Sequence, residues 1–211
     1  MYLASWRAWA CALLAVLAAG ASAAQEKPAE FVPLFDGKSL EGWEGDPELW
    51  RVEEGQIIGS TDAKKLTHNS FLATRKAYGN FVLRLKFKLR NGNSGVQFRS
   101  RQFEDYVVRG YQADIADNQY LGILYEEGGR GILVNVDADE VAKHYRPGDW
   151  NEYEITADGP RIIQRLNGHV TVEYVERDAE KGAAEGIIAL QLHVGDAMEV
   201  RFKDLEIKEL P

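Results

Sequence analysis

The chain has 211 residues, 45% hydrophobic and 27% charged, which suffices for one globular domain with its own core and excludes a disordered chain. Its formal net charge is −8 and it carries no basic cluster, so nucleic acid and anionic membrane surfaces are not expected partners, whereas a neutral ligand such as a sugar suits it. The single cysteine, Cys11, lies in the N-terminal apolar run, so no disulfide or thiol chemistry is expected beyond that run.

Residues 1–24 read as a secretory signal peptide. Arg7 is their only charge, Ala8 to Ala19 form an apolar run, and Ala21-Ser22-Ala23 is a small-residue cleavage site. The run is short for a membrane span, and Cys11 does not follow a lipobox, so the expectation is an exported protein, periplasmic or secreted. No stable membrane insertion is expected after cleavage. Residues 25–30, with Pro28, read as a polar, mobile leader, and residues 31–211 as one domain.

From Phe31 the chain alternates short apolar runs with turn residues. Asp36-Gly37 is a turn signal, and Leu40, Trp43 and Trp50 are apolar anchors. Trp50 to Val52 and Gln56 to Gly59 flank Glu53-Glu54-Gly55 as a hairpin, and Thr61 to Asn69 reads as a loop. Phe81 to Leu89 is the clearest strand, with Phe81, Leu83, Leu85, Phe87 and Leu89 on one face and Val82, Arg84, Lys86 and Lys88 on the other. Leu121 to Tyr125 and Gly131 to Val136 are split by a glycine turn. Trp150 to Thr156, Arg161 to Leu166, Val170 to Tyr174, Gly186 to Val194 and Val200 to Lys208 follow as strands. Asn167-Gly168 is the strongest hairpin signal among them. Only Asp137 to His144 carries a weak helical pattern. Many short strands divided by turns indicate an all-β sandwich.

Two strands in 91–117 set the functional reading. Asn93, Gly95, Gln97 and Arg99 alternate with Ser94, Val96 and Phe98; Gln112, Asp114 and Ala116 alternate with Tyr111, Ala113 and Ile115. Each strand therefore has one apolar and one polar side. In Leu190 to Val194, Gln191 and His193 likewise face away from the leucines. Amides, a carboxylate and an arginine on one sheet face suit hydroxyl-rich ligands, since each hydroxyl both donates and accepts. The blander reading pairs Arg99 with Asp114 as a salt bridge and leaves the glutamines as surface amides. Tyr111 and Trp150 read as core residues.

Several stretches, in order, resemble the 3-keto-disaccharide hydrolase domain family: Leu34-Phe35-Asp36-Gly37-Lys38-Ser39-Leu40 with Trp43, Tyr78-Gly79-Asn80-Phe81, Asn93-Ser94-Gly95 with Phe98-Arg99, Gly110-Tyr111-Gln112, Trp150-Asn151-Glu152, Asn167-Gly168 and Leu190-Gln191-Leu192-His193. The resemblance covers about Glu30 to Leu210. It implies a concanavalin A-like jelly-roll of two antiparallel sheets, an exported location and action on 3-keto-glycosides.

An ordinary glucanase mechanism does not fit. Gln112-Ala113-Asp114-Ile115-Ala116-Asp117 has the spacing of a glucanase Glu-x-Asp-x-x-Glu strand, but Gln112 stands where the nucleophile would be, and an amide is no carboxylate nucleophile. A 3-keto sugar relaxes the demand, because its ketone acidifies the C2 hydrogen and allows elimination at C1. That chemistry needs a base, an acid and a group that stabilises an enolate. His193 is the candidate base and Arg99 the candidate for polarising the ketone. Asp114 or Glu126 is the candidate acid or histidine-orienting group. Asn93, Gln97, Gln112, Gln191 and Arg130 are the candidate substrate-binding residues. No cofactor is expected. Asp114, Asp117, Glu126 and His193 could ligate a metal, but they form no close-spaced motif, so none is expected. The rival reading is a non-catalytic carbohydrate-binding module on the same sandwich, and a third is an interaction protein using the sheet as scaffold.

Overall fold

The computed structural model describes residues 30–211. The expected signal peptide and almost all of the leader lie outside the described residues. Strands are numbered in chain order. One sheet runs, edge to edge, through β13 (His169–Val175), β12 (Arg161–Leu166), β11 (Asn151–Asp158), β6 (Phe81–Arg90), β15 (Glu199–Glu209), β4 (Gln56–Ser60) and β3 (Trp50–Glu53), with β1 (Val32–Pro33) also pairing with β15. The other runs through β10 (Gly131–Val134), β9 (Leu124–Glu127), β8 (Val108–Ala116), β7 (Asn93–Gln102), β14 (Gly186–Leu192), β5 (Ser70–Tyr78) and β2 (Trp43–Glu44). The pairings are antiparallel throughout. The expected all-β jelly-roll sandwich is what the chain forms.

The core lies between the sheets and follows the period-two pattern of the sequence. β6 buries every second residue from Phe81 to Leu89, and β7 and β8 send in Val96, Phe98, Tyr111, Ala113 and Ile115. Phe81 and Phe98 meet edge to face across the interior at 6.3 Å between centroids. Tyr111 is a core residue as expected, at 2% exposure. Trp150 is not: it sits just before β11, partly exposed, with the Lys203 ammonium 4.2 Å above its ring.

β5 is a strand that the sequence reading did not assign. Its alternation is hidden because Ser70 to Thr74 are buried in succession, and a bulge between Ile187 and Ala189 breaks its register with β14. The weak helical pattern at 137–144 becomes one short helix, α1 (Ala138–Ala142), whose N-terminal Asp137 side chain accepts hydrogen bonds from Asp139 N and Glu140 N.

A bulge in β7 has the larger consequence. The register with β8 shifts between Phe98 and Arg101, and Arg99 takes a left-handed φ of 47°. The strict alternation expected through Arg99 stops there, and its side chain leaves the polar face.

Candidate functional site

On the outer face of the seven-stranded sheet is a cavity of about 300 Å³ lined by Asn69, Asn93, Gln112, Asp114, Tyr120, Ile123, Tyr125, Glu127, Ile132, Gln191 and His193. β7, β8 and β14 supply its floor through the residues that alternate away from the core. β9 and β10 supply one wall with Tyr125, Glu127 and Ile132, and the loop after β8 supplies Tyr120 and Ile123.

The floor is a string of oriented amides. Gln97 Nε2 donates to Gln112 Oε1 at 3.1 Å. Gln112 Nε2 donates to Asp114 Oδ1 at 2.6 Å and to Gln191 Oε1 at 3.3 Å. Gln191 Nε2 then donates to Glu127 Oε2 at 3.3 Å, and Asn69 Nδ2 reaches the other Glu127 oxygen at 3.4 Å. Asp114 Oδ1 and the Glu127 oxygens accept at the two ends, so they set the direction in which each amide faces. Gly95 makes room for this. A Cβ there would lie 2.4 Å from Gln112 Cδ, so the glutamine can cross β7 only over a glycine.

Two carboxyl groups in the cavity hold their protons more tightly than free ones. Asp114 is 5% exposed, and burial raises its pKa to about 7, against the opposing pull of the Gln112 and Asn93 amides. Glu127 is also raised, first by burial, with hydrogen bonding from Asn69 and the nearby His193 working the other way. His193 Nδ1 lies 2.6 Å from Val194 O. A carbonyl cannot donate, so Nδ1 carries the hydrogen and the lone pair of the neutral ring is on Nε2. Asn69 Oδ1 accepts from Val194 N at 2.9 Å, tying the histidine's segment to the residue that holds Glu127.

The structure thus brings together His193, Asp114, Asn93, Gln112 and Gln191. Gln97 lies beneath them, fully buried and off the cavity wall, positioning Gln112. Arg99, Glu126 and Arg130 are elsewhere. The Arg99 guanidinium donates to Gly79 O at 2.9 Å, Gly159 O at 2.6 Å and Asn80 Oδ1 at 3.0 Å, where the β5–β6 and β11–β12 turns meet. It neither polarises a ligand in the cavity nor pairs with Asp114. Glu126 follows Leu124 in strand parity, away from Glu127. It pairs with Arg130 at 2.6 Å, Arg130 also pairs with Glu176 at 2.6 Å, and Tyr111 Oη donates to Glu176. Arg130 is the first cause that holds the Glu176 carboxyl down to about 2. Ion pairing claims Glu126 and Arg130, and backbone carbonyls with the Asn80 amide claim Arg99.

The sequence reading missed Glu127, Asn69, Tyr120, Tyr125 and Ile132. Strand parity could have found Glu127: with Leu124 in the core, Tyr125 and Glu127 must face outward. Asn69 lies in a segment with no period, and nothing local marks it.

The sequence profile of the 3-keto-alpha-glucoside-1,2-lyase-like domain matches residues 30–208. None of the curated proteins is similar to this chain at a significant level. Among solved structures, a candidate glycosyl hydrolase from Parabacteroides distasonis superposes with a TM-score of 0.63 at 25% identity, covering 86% of this chain and 100% of that one. The carbohydrate-binding module CBM66 from Bacillus subtilis gives 0.61 at 16% identity, over 80% of this chain and 96% of its own. The Bacillus licheniformis beta-glucanase gives 0.54 at 11% identity, over 89% and 100%. The last two likenesses are of fold.

Proposed function

The chain belongs to the 3-keto-alpha-glucoside-1,2-lyase-like domain family, and from that premise we propose that it is an exported enzyme that cleaves 3-keto-glycosides at the glycosidic bond. The observation that carries this reading is a carboxyl group, Asp114, raised to about 7 by burial on the same cavity wall as an imidazole with a free Nε2. An acid and a base with separated tasks are what elimination next to a ketone requires.

In the proposed reaction His193 Nε2 removes the proton from C2 of the sugar, and the C2–H electrons form an enolate with the C3 ketone. The enolate collapses to restore the ketone and form a C1–C2 double bond, expelling the C1 oxygen. Protonated Asp114 gives its proton to that oxygen as it leaves. Water added across the new double bond would give net hydrolysis. Glu127, beside His193, stabilises the imidazolium formed in the first step. Among the described residues the cavity wall has no arginine or lysine, so the enolate oxygen depends on the Asn69, Asn93 and Gln191 amides and the Tyr125 hydroxyl. Tyr120 and Ile132, 41% and 46% exposed, offer the leaving group an apolar edge.

The experiment supplies a glucoside oxidised at C3 and follows aglycone release, with the product mass recorded. Release, with an unsaturated sugar one water lighter than the hydrolysis product, supports elimination. A hydrated product supports net hydrolysis. No release from several 3-keto-glycosides, together with binding to the unoxidised sugars, would overturn the enzyme in favour of a carbohydrate-binding module.

A further inference from the structure

Glu140, His144 and His169 converge outside the cavity, with one potential ligand atom from each within 4.8 Å of the others. Glu140 lies in α1, and His144 follows four residues later, just past the helix's C-terminal cap Lys143, with its N–H donating to Val141 O at 3.0 Å. His169 opens β13 directly after the Asn167-Gly168 turn, where both residues have left-handed φ, 49° and 83°. The imidazoles of His144 and His169 stack at 3.8 Å between centroids and 7° between planes.

One amide network fixes both segments. Asn167 Nδ2 donates to His144 O at 2.6 Å and to Asn151 Oδ1 at 2.8 Å, and Asn151 Oδ1 also accepts from Arg146 N at 2.9 Å. The histidines are therefore held together by the backbone of their elements as well as by ring contact. Glu140 Oε2 accepts from Lys143 Nζ, and its Oε1 lies 3.4 Å from His144 Nε2.

We propose that Glu140, His144 and His169 form a structural binding site for a divalent transition-metal ion of the zinc type. Two imidazoles and one carboxylate make a borderline donor set that favours Zn²⁺, Ni²⁺ or Cu²⁺ over the oxygen-seeking Mg²⁺ and Ca²⁺. All three side chains are only partly buried, which leaves water the remaining coordination positions. An ion must lie in the plane of each ring that ligates it. Two parallel rings cannot both meet that condition, so binding turns at least one ring out of the stack. None of the three residues lines the cavity. The site instead joins α1 to β13, and both elements press on the loop that carries Tyr120 and Ile123. A Cβ built on Gly122 of that loop would meet Thr171 Cγ2 at 3.2 Å and Val141 Cγ1 at 3.3 Å. This proposal is independent of the catalytic reading.

The test is calorimetric titration of the purified protein with zinc sulfate and, separately, magnesium chloride, alongside the thermal midpoint with and without zinc. One equivalent of zinc should bind, magnesium should not, and zinc should raise the midpoint, since it binds the folded chain. His169→Ala and Glu140→Gln should each weaken zinc binding by more than the roughly tenfold cost of losing an outer-shell partner. His193→Ala should leave the titration as it was. Absence of zinc binding, binding that survives both His169→Ala and Glu140→Gln, or binding lost in His193→Ala would overturn the proposal, the last by placing the ion in the cavity. Both site variants replace partly exposed side chains, and far-ultraviolet circular dichroism checks that they fold.

Discussion

Gln112 commits both amide hydrogens inside the cavity and receives Gln97 at its oxygen. Because Gln112 donates to Asp114 Oδ1, the Asp114 proton belongs on Oδ2, the oxygen that would give it to a ligand. His193→Ala and Asp114→Asn should each lower turnover of a 3-keto-glycoside by about a hundredfold to ten-thousandfold, read from steady-state rates on folded protein. Asp114 also predicts a pH effect on stability. Its folded pKa of about 7 lies above the unfolded value, so the folded chain binds the proton more tightly. Its contribution is complete below about pH 4 and is lost as pH rises through 7. Asp114→Asn removes that loss. The variant should gain on the parent between pH 4 and pH 8 by on the order of 4 kcal/mol, measured by denaturant unfolding. A constant difference across that range would contradict the assignment. At this scale Asn93, Gln112, Asp114, Gln191 and His193 were legible, since period-two alternation puts them opposite core residues. Arg99 has the same spacing and was misread, because one left-handed residue changes where a side chain goes and hydropathy does not record φ.

Among the elements, β7 both builds and interrupts the polar face. Gly95 lets Gln112 lie across it, and the bulge at Arg99 ends it. Gly95→Ala should displace Gln112, break the string of amides and weaken sugar binding. Its stability cost should be about 1–3 kcal/mol, the usual range for overpacking. Paired ligand titration and unfolding curves would show whether the binding loss exceeds what stability alone explains. Arg99→Met makes the opposite prediction. It leaves Gly79 O and Gly159 O without the guanidinium and should cost about 2–4 kcal/mol. Turnover of the folded fraction should stay within a few-fold. A large fall in turnover with unchanged stability would return Arg99 to the chemistry. Strand parity also explains the exchange of Glu126 for Glu127: neighbouring glutamates on β9 fall on opposite sides, one into an ion-pair cluster and one into the cavity. β5 escaped the sequence reading because it carries no clean alternation.

For the whole molecule, composition and the repeated strand-and-turn pattern were enough to indicate a sandwich. The order in which strands pair was not legible, because pairing partners are far apart in sequence and no local pattern names them. β15 is the case in point. It contributes Val200, Phe202, Leu205 and Ile207 to the core and lies between β6 and β4, with β1 also paired to it. Cutting the chain before Glu199 should therefore abolish cooperative unfolding, where removal of an edge strand such as β10 would be expected to cost less. Circular dichroism melts of the truncated chain and of the β10 deletion compare them directly.

The central place of β15 also has a consequence in time. Until residues 199–209 have been synthesised, β6 and β4 each lack a neighbour, and the eight-stranded sheet cannot close. The growing polypeptide stays open along that seam until β15 has emerged from the ribosome. Over that interval its β-edges stand uncovered, which is the state in which a chain is open to pairing with the wrong partner.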